Sequence, residues 1–554
     1  MGNMIKRNDQ LKRTLGAMAP KERVQEVASI PREDTVNRDG FKTYSLTDEL
    51  RLISMLNTLK IKPQFYRTED QTISELRDLI ERIGLKDPYF VCQAIVYSRC
   101  MGEGMRTINN LSAALVAPFI RGEEYAKRFY SLFDRKAQKG GCIYRPDDMT
   151  EIKDAYCALN SGVLTNAMRK GFKDALERFD GYQMSKYPDN TINIANLVHP
   201  SSKVTKDTVE INGRKMKVLD ALMRGFTVAP DTWDSMNSEA GQIVKAAVKA
   251  GKIDQKEAEE MLAEAKTRNW EALLEAGRLP IMAALRNIRN ILTNPSDKAI
   301  RLLCELITNE KIVKESLILP SHFDLAYDVV MKEFASADYS PDVQKALIEG
   351  YQKSIPNLAL VLPGKTLIIQ DVSGSMQTNK HSDGKTYSGS NPWGGPVMKD
   401  SCCYKAGLIS ATIIKATGAD LIFFGDRARE VTYNKNLNVF ALASELGKAY
   451  NECTNLSYAF NLIRMNRSAY DRIIILSDNE INTGNLMSAA YKQYVHDVCS
   501  PYVYCVDLAA YGTVPLAGDK VSFFYGYGST LYEDLSKNEF NPAYHIDKVR
   551  AVVI

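Results

Sequence analysis

The pattern of apolar positions divides the chain at about residue 360. From about residue 45 to 355, apolar residues recur every three or four positions, which is the spacing of one helix face. TDELRLISMLNTLK and QKEAEEMLAEAKTRNWEALLEAG are examples. Prolines and Asn-Pro or Asp-Pro pairs separate such stretches, and a strand pair is indicated at the Asn212-Gly213 turn. This half is predicted to be a repeat of stacked α-helical pairs.

After residue 360, short and continuous apolar runs alternate with helical stretches. Five of the runs are predicted strands: TLIIQ, ADLIFFG, RIIILS, YVYCVDL and VSFFYG. Alternating strands and helices indicate a doubly wound α/β domain with a mostly parallel sheet, whose ligands bind beyond the carboxyl ends of the strands. We therefore divide the chain into an N-terminal arm at 1–44, a helical domain at 45–360 and an α/β domain at 361–554.

Charge and composition narrow the classes of function. The net charge is +4, and residues 361–554 hold 18 basic and 18 acidic side chains, so the excess lies in the first 360 residues, at 53 against 49. A nucleic-acid surface must therefore be a local patch on the helical half. No apolar run approaches the roughly 20 residues of a membrane span, and no export signal is evident. We expect a cytoplasmic protein that does not enter a membrane, with its cysteines reduced.

Candidate chemistry follows the first predicted strand of the α/β half. The stretch DVSGS begins at Asp371 and places one carboxylate and two hydroxyls at alternate positions. Thr454 lies where a loop enters a helix, and Asp478 directly follows the strand RIIILS. Because hard cations take oxygen ligands, the pattern predicts a divalent cation, Mg²⁺. The predicted ligands are Asp371, Ser373, Ser375, Thr454 and Asp478.

Other kinds of site require residues that can be compared with those of this stretch. Asp371 and the serines can also simply cap a turn. A phosphotransferase Asp-x-Asp loop would need a carboxylate at Ser373, the glycines of a nucleophile elbow are missing, and a P-loop is absent. A hydrolytic nuclease that uses Asp371 and Asp478 around Mg²⁺ remains an alternative, but the hydroxyl ligands supply no general base. We therefore predict that the chain is not an enzyme.

The α/β half resembles a known family of domains. DVSGSM, Thr454 within CTN and Asp478 within LSDNE are similar to the metal-ion-dependent adhesion site of von Willebrand factor A domains. The resemblance implies that the five oxygens hold a divalent cation whose open position takes a carboxylate from a partner. One difference is a polar, glycine-rich insert at 377–401, which could cover the site.

Five strings of the helical half together resemble a known family. In chain order they are MRTINNLSAALVAP, NAMRKGFKDALERFDGYQMSKY, IANLVHPSS, RNWEALLEAGRLPIMAALRNIRNIL and CELITNEKIVKESLILPSHFDLAY. They resemble the TROVE module of the Ro 60 kDa autoantigen family, in the form found in bacteria or phages. The resemblance implies a ring of HEAT-like helical repeats closed by the A domain, acting as a monomeric scaffold for RNA. It implies small noncoding Y-type RNA on the outer surface and single-stranded 3′ ends of misfolded RNA in the central hole. A 3′-to-5′ exoribonuclease similar to polynucleotide phosphorylase is the implied protein partner.

The candidate RNA contacts come from the positions of basic residues and from the resemblance to the family. A basic strip in NAMRKGFKDAL is placed to meet phosphates, and two residues match family positions implicated in RNA contact. The family's next basic residue falls in PDNTINIAN, which has none, so the identity of a Y RNA is left open. The candidates are Arg169, Lys170 and Lys173 in the strip, Lys186 and His199 by resemblance, and Arg106 and Arg286 in addition.

Each of these residues has a plainer interpretation. The strip can be a solvated helix face, His199 can complete a turn before Pro200, and Arg286 and Arg289 can pair helices. For the whole chain, the alternative function is a metal-dependent protein-binding adaptor, like the A-domain partners of ATPase chaperones. In that case the helical half would dock protein instead of RNA.

Overall fold

The computed structural model describes most of the chain from residue 33 onward, in two compact units. The smaller unit comprises residues 180–188 and 205–359, and the larger unit comprises the chain up to 179, 189–204 and 360–554. The described residues are 33–554 without 39, 60, 62–66, 103–104, 160–162, 202–206, 212, 227, 229–242, 245–246, 248–253, 359, 361, 381–385, 389–400, 450–452, 483–486, 527 and 538–543.

The N-terminal part of the larger unit is helical. Several of its helices begin at polar caps: Thr68 and Gln71 form a capping box, and Asp87 caps a helix whose first residue is Pro88. A π-helical turn at Tyr97–Met101 follows that helix. The helices are α1 Asp48–Thr58, α2 Glu69–Gly84, α3 Pro88–Val96, α4 Arg106–Leu115, α5 Ala126–Phe129, α6 Pro146–Leu159 and α7 Asn166–Arg178.

The smaller unit is helical apart from one hairpin. The predicted strand pair at the turn before Gly213 is confirmed, and its two strands pair antiparallel from Thr208↔Lys217 to Ile211↔Arg214. A 3-10 turn at Ile355–Leu358 ends the unit. Helix α9 Pro188–Val198 lies next in the chain after the first helix of this unit, but it belongs to the larger unit except for Pro188. The elements of the smaller unit are α8 Gly181–Lys186, β5 Thr208–Ile211, β6 Arg214–Lys217, α10 Val218–Met223, α11 Gln255–Glu275, α12 Ile281–Arg286, α13 Ile288–Leu292, α14 Asp297–Thr308, α15 Glu310–Ser316, α16 Pro320–Glu333 and α17 Ser340–Ser354.

The rest of the larger unit is built on a six-stranded sheet. From one side to the other, its strands are β11 Ala428–Glu430, β10 Asp420–Phe424, β7 Thr366–Asp371, β12 Arg472–Ser477, β13 Tyr502–Asp507 and β15 Val521–Tyr525, and every pair is parallel except β11 with β10. Every residue of β7 and β12 is buried, as expected of central parallel strands. The elements are β7 Thr366–Asp371, α18 Gly374–Gln377, β8 Thr378–Lys380, β9 Thr386–Ser388, α19 Cys402–Thr417, β10 Asp420–Phe424, β11 Ala428–Glu430, α20 Val439–Gly447, α21 Ser457–Met465, β12 Arg472–Ser477, α22 Met487–Asp497, β13 Tyr502–Asp507, β14 Thr513–Val514, β15 Val521–Tyr525, α23 Ser529–Lys537 and α24 Tyr544–Arg550.

The five strands predicted after residue 360 are therefore confirmed as β7, β10, β12, β13 and β15, and the mostly helical first half is confirmed. Further short strands have no clear apolar signal. They are β1 Thr35–Val36 and β2 Lys42–Ser45, which form a three-stranded sheet with β14, and the hairpin of β3 Phe133–Asp134 and β4 Lys139–Gly140.

The two compact units have different boundaries from the three segments 1–44, 45–360 and 361–554 that the sequence predicts. The first helices pack with the α/β part because specific side chains join them. Gln93 Nε2 on α3 donates to Arg550 O and Val552 O, each at 2.8 Å, and the buried Arg67 donates to Ala509 O and Ala510 O. Within the described part of the chain, no helix has the length and apolarity to cross a membrane.

Candidate metal centre and nucleic-acid contacts

The sheet places the two predicted carboxylate ligands at one edge. Asp371 is the last residue of β7, and Asp478 comes directly after β12. Because β7 and β12 are adjacent and parallel, their carboxyl ends meet at the same edge. Both side chains are buried: Asp371 is 0% exposed and Asp478 is 1% exposed.

The serines lie within reach of these carboxylates. Ser373 N donates to Asp371 Oδ1 at 2.9 Å, and Ser373 Oγ lies 3.3 Å from Ser375 Oγ. Ser375 also hydrogen-bonds Asp478, which joins the DVSGS turn to the neighbouring strand end. A further hydroxyl, Ser477 Oγ, donates to Asp371 Oδ2 at 2.6 Å. The turn interpretation is thus partly correct, because Asp371 does cap its own turn.

Thr454 comes from the loop before α21, as predicted. Its N–H donates to Asn482 Oδ1 at 2.8 Å, and Asn482 N donates back to Thr454 O at 3.2 Å. The side chain is 1% exposed, and its Oγ1 has no hydrogen-bond partner among the described residues. A buried hydroxyl without a partner costs free energy, so its position needs an explanation.

The electrostatics of this edge of the sheet favour a bound cation. Burial raises the pKa of Asp371, against hydrogen bonds from Ser477 and Ser373 that lower it. Burial and the nearby charge of Asp371 raise the pKa of Asp478 well above its ordinary value. A divalent cation among these oxygens would compensate both carboxylates and give Thr454 Oγ1 a partner. The five residues therefore fit such an ion.

The fit depends on hydroxyl ligands as well as carboxylates. Among the described residues, no group of three or more histidine, cysteine, aspartate or glutamate side chains could hold a metal ion. The set of two aspartates and three hydroxyls therefore suits a hard ion that retains water and an open position, as Mg²⁺ does.

A third buried carboxylate near this edge was not predicted. Asp507 ends β13, is 0% exposed, and its Oδ1 accepts from Ala509 N and Ala510 N at 2.9 and 2.7 Å. Its Oδ2 has no hydrogen-bond partner among the residues described. Burial raises the pKa of Asp507 to about 7. The signal was present in the sequence, because YVYCVDL also places an aspartate at the end of an apolar run.

The predicted covering insert lies largely outside the described residues. The backbone of β8 and β9 pairs antiparallel from Thr378↔Ser388 to Lys380↔Thr386. Residues 381–385 and 389–400 are not described. That the insert covers the cation site stays a prediction.

The basic strip lies on α7. Arg169 and Lys170 are exposed, and Lys173 is half-buried. Thr165 caps the helix through its side chain, which accepts from Met168 N at 3.1 Å. Among the described residues, none of the three cations forms a salt bridge with a carboxylate. Their charge is therefore available to a ligand.

Lys186 and His199 lie in different compact units. Lys186 ends α8, is exposed, and its Nζ is 3.4 Å from Tyr182 Oη and 5.6 Å from the centre of the Tyr182 ring. His199 is exposed and directly follows α9, with a φ of 48°, and its N–H donates to Ala195 O at 2.9 Å. The turn interpretation of His199 is thus correct for its backbone, while its ring is exposed.

The remaining two arginines differ from each other. Arg106 is held by Asp147 at 2.7 Å, Glu151 at 2.6 Å and Asp148 at 3.3 Å, so its guanidinium has a structural role. Arg286 is exposed on α12, and its charge adds to burial in lowering the pKa of His322. Contact of either residue with RNA stays a prediction. Arg289 pairs with Glu333 on α16, as the helix-pairing interpretation expects.

Comparison with known proteins agrees with the helical half. Residues 201–353 match the TROVE domain family, a range that nearly coincides with the longer segment of the smaller unit. Telomerase protein component 1 of Rattus norvegicus is 23% identical over 325 residues, which cover 47% of this chain and 12% of that protein. The Mus musculus protein of the same name is 24% identical over 328 residues, covering 48% of this chain and 12% of its own length. The chain thus spans a small part of these relatives.

One solved structure shares the fold. The crystal structure of the Deinococcus radiodurans Ro (RSR) protein aligns with a TM-score of 0.50 and 17% identity, covering 89% of this chain and 100% of that chain. At this identity the likeness establishes the fold alone. The sequence evidence for a family is the match of residues 201–353 to the TROVE domain.

Proposed function

We propose that this protein is the RNA-binding scaffold of a ribonucleoprotein. The observation that carries the proposal is the basic strip on α7, whose three cations have no carboxylate partner among the described residues. Lysine and arginine side chains in this state attract phosphates, and this contact supplies most of the affinity in non-specific nucleic-acid binding. The TROVE match and the resemblance to Ro proteins favour RNA over other polyanions.

The basic surface extends beyond the predicted strip. Lys127 and Arg128 are exposed on the short helix α5, and neither forms a salt bridge with a described residue. Helix α5 packs closely on α7 at Gly171, where a Cβ would lie 2.7 Å from Lys127 O. The absence of a side chain at Gly171 therefore lets two helices bring five cations into one region of the larger unit. Sequence spacing within α7 alone could not reveal the second pair.

The class of RNA comes from the resemblance. The proposed ligands are a small noncoding Y-type RNA and the single-stranded 3′ ends of misfolded RNA, bound for quality control or for processing with a polynucleotide phosphorylase-like exoribonuclease. The proposed architecture is a monomeric ring of HEAT-like repeats closed by a von Willebrand factor A domain, in the cytoplasm. RNA of this kind is recognised by shape and unpaired bases, so modest sequence selectivity is expected.

The cation has an accessory place in this proposal. Asp371, Ser373, Ser375, Thr454 and Asp478 would hold Mg²⁺, and the ion would offer an open position to a carboxylate of a partner protein. The chain's own contribution is to bury both aspartates and to orient the hydroxyls through the DVSGS turn. No catalytic step is assigned to these residues, since the hydroxyls cannot act as a general base.

The second candidate is a metal-dependent protein-binding adaptor. The buried carboxylate pair beside an unpartnered Thr454 hydroxyl favours it, because a cation at the sheet edge would attract acidic side chains. The two functions predict different affinities for RNA at low salt. An RNA scaffold should bind a hairpin RNA with a single-stranded 3′ tail under these conditions, and a protein-binding adaptor should not. Purified protein and a nitrocellulose filter are sufficient to separate them.

Replacing the strip tests the proposed function directly. Arg169→Ala, Lys170→Ala and Lys173→Ala combined should weaken binding of a tailed hairpin RNA about tenfold or more at moderate salt. The slope of log affinity against log salt should fall by about 2 to 3, because each lost phosphate contact removes roughly one released counterion. Fluorescence anisotropy with a labelled RNA measures both quantities.

The matched control is a pair of exposed lysines in the smaller unit. Lys311→Ala with Lys314→Ala on α15 removes charge of the same kind without touching the strip. This variant should bind RNA nearly as well as the wild type. Equal losses in both variants would mean that net charge, and not the strip, determines affinity.

A further inference from the structure

The N-terminal segment, residues 33–38 and 40–45, contacts the loop that carries Asp478. Asn37 Nδ2 donates to Ile481 O at 2.6 Å, and Arg38 N donates to Glu480 Oε2 at 2.8 Å. Asn37 is 6% exposed and Glu480 is 0% exposed, so each of these part-buried hydrogen bonds has one buried partner. We call residues 478–482 the metal-site loop.

The metal-site loop governs two of the five predicted ligands. Asp478 begins it, and Asn482 at its end holds Thr454 through the reciprocal hydrogen bonds described above. Asn479 between them has a φ of 64°, a left-handed conformation that is uncommon for residues other than glycine. Its buried side-chain amide has no hydrogen-bond partner among the described residues, so it does little to hold that conformation. Two local hydrogen bonds hold the loop, from Asn479 N to Ser477 Oγ at 2.9 Å and from Glu480 N to Asp478 Oδ1 at 3.2 Å, and the contacts from the N-terminal segment add to them.

The N-terminal segment is itself anchored to the rest of the larger unit. β2 pairs with β14, and the buried Thr43 Oγ1 donates to Val514 O at 2.6 Å. The Arg38 side chain lies 2.7 Å from Glu75 on α2 and 5.2 Å from the centre of the Tyr511 ring. The segment thus has fixed positions on both sides of its contact with the metal-site loop.

Glu75 ties these anchors together. It accepts hydrogen bonds from the side chains of Arg38, Arg51 and Arg67. Burial raises the pKa of Glu75, but the hydrogen bonds and charges of Arg38 and Arg67 outweigh it and hold the pKa below its ordinary value. A carboxylate that stays ionised against three arginines is a firm attachment point for the segment.

We propose that Asn37 and Arg38 are positioning residues for the cation site, and that cation binding is thermodynamically linked to docking of the N-terminal segment. Asn37 and the Arg38 backbone fix the metal-site loop, and the loop fixes Asp478 and Thr454. By reciprocity, a cation that holds Asp478 and Thr454 favours the docked segment by the same factor. This inference rests on the cation site of the proposed function.

Asn37→Ala in the full chain is the test variant, with Mg²⁺ titrated by calorimetry. The loss of one buried hydrogen bond to the loop should weaken Mg²⁺ binding about five- to tenfold. The matched control is Ser45→Ala, which removes a hydrogen bond to Asp34 inside the same segment and contacts no residue of the metal-site loop. Its Mg²⁺ affinity should equal that of the wild type.

Hydrogen exchange supplies a second measurement that does not depend on the mutant's stability. In the wild type, Mg²⁺ should slow amide exchange of residues 35–45, and in Asp371→Asn it should have no effect there. If the wild type binds Mg²⁺ while Asn37→Ala binds equally well and exchange at 35–45 is unchanged, the linkage is wrong and the cation site stands. If the wild type, like Asp371→Asn, binds no Mg²⁺, the cation site itself is wrong and the linkage with it.

Discussion

Asp148→Ala is expected to lower the free energy of unfolding by about 3 to 5 kcal/mol, because it leaves a buried arginine without its partner. The Asp148 side chain is 0% exposed, and Arg99 Nη2 lies 2.7 Å from each of its carboxylate oxygens. The same carboxylate accepts from Tyr144 N and Arg145 N at 3.1 and 3.0 Å, which fixes the start of α6. Chemical denaturation followed by circular dichroism measures the loss.

The matched control for this prediction is on the same helix. Among the described residues, Asp154 pairs only with its neighbour Lys153, and its side chain is 64% exposed, so Asp154→Ala should change stability by no more than about 0.5 kcal/mol. Similar effects of the two substitutions would show that the Asp148 network does not hold the helices together. Arg106 belongs to the same network, so a loss of RNA binding in an Arg106 variant must be checked against its stability before it is assigned to contact.

Asp371→Asn is expected to abolish Mg²⁺ binding and, without metal, to make the protein more stable at pH 7.5 than the wild type. Asparagine keeps an acceptor oxygen for Ser373 N but removes the buried carboxylate that lies nearest to Asp478. Burial raises the pKa of both Asp371 and Asp478, so the folded state binds more protons than the unfolded chain above about pH 4. These groups therefore make the metal-free wild type less stable as pH rises, and the advantage of Asp371→Asn should grow from pH 5 to 7.5.

Thermal unfolding in chelator and in Mg²⁺ measures this effect. In the wild type, Mg²⁺ at 100 times its dissociation constant should add about 2.7 kcal/mol, and in Asp371→Asn it should add nothing. The control is Asp507→Asn, which replaces a buried aspartate at the end of the neighbouring strand β13 that is not a predicted ligand. This control should keep the full response to Mg²⁺. An undiminished response in Asp371→Asn would remove Asp371 from the site.

The meeting of the predicted ligands at one edge of the sheet could be inferred because the elements that carry them have strong local signals. A central parallel strand is a continuous apolar run, so the ends of β7 and β12 were visible, and residues just beyond them had to share an edge. The position of Thr454 could be predicted for a similar reason, since this residue lies where a loop enters a helix. Asp507 carries the same signal at the end of β13 and could have been found in the same way.

The contacts that bring distant parts of the chain together could not be predicted. Asn37 and Ile481 are 444 residues apart, and a strand of two residues such as β1 has no periodicity to detect. The three carboxylates around Arg106 follow Pro146 in PDDMTE, but helical spacing within one segment does not show which distant cation they bind. The same limit applies to Lys127 and Arg128, which only the packing at Gly171 places beside the strip.

The proposed RNA surface and the proposed cation site are different parts of the protein. The strip on α7 would contact phosphate, while the edge of the sheet would hold Mg²⁺ and engage a carboxylate of a protein partner. Variants of the two sites should therefore affect different ligands. A strip variant that keeps its Mg²⁺ affinity, and Asp371→Asn that keeps its RNA affinity, are the pattern expected of a scaffold that joins RNA to another protein.

The central claim, that the protein binds RNA through phosphate contacts, is tested most directly by a salt titration of the wild type. The measurement is the affinity for a hairpin RNA with a single-stranded 3′ tail at increasing salt. We expect measurable binding at low salt, and we expect the affinity to fall about tenfold or more between roughly 50 and 200 mM salt. An absence of binding at low salt, or an affinity that does not change with salt, would contradict it.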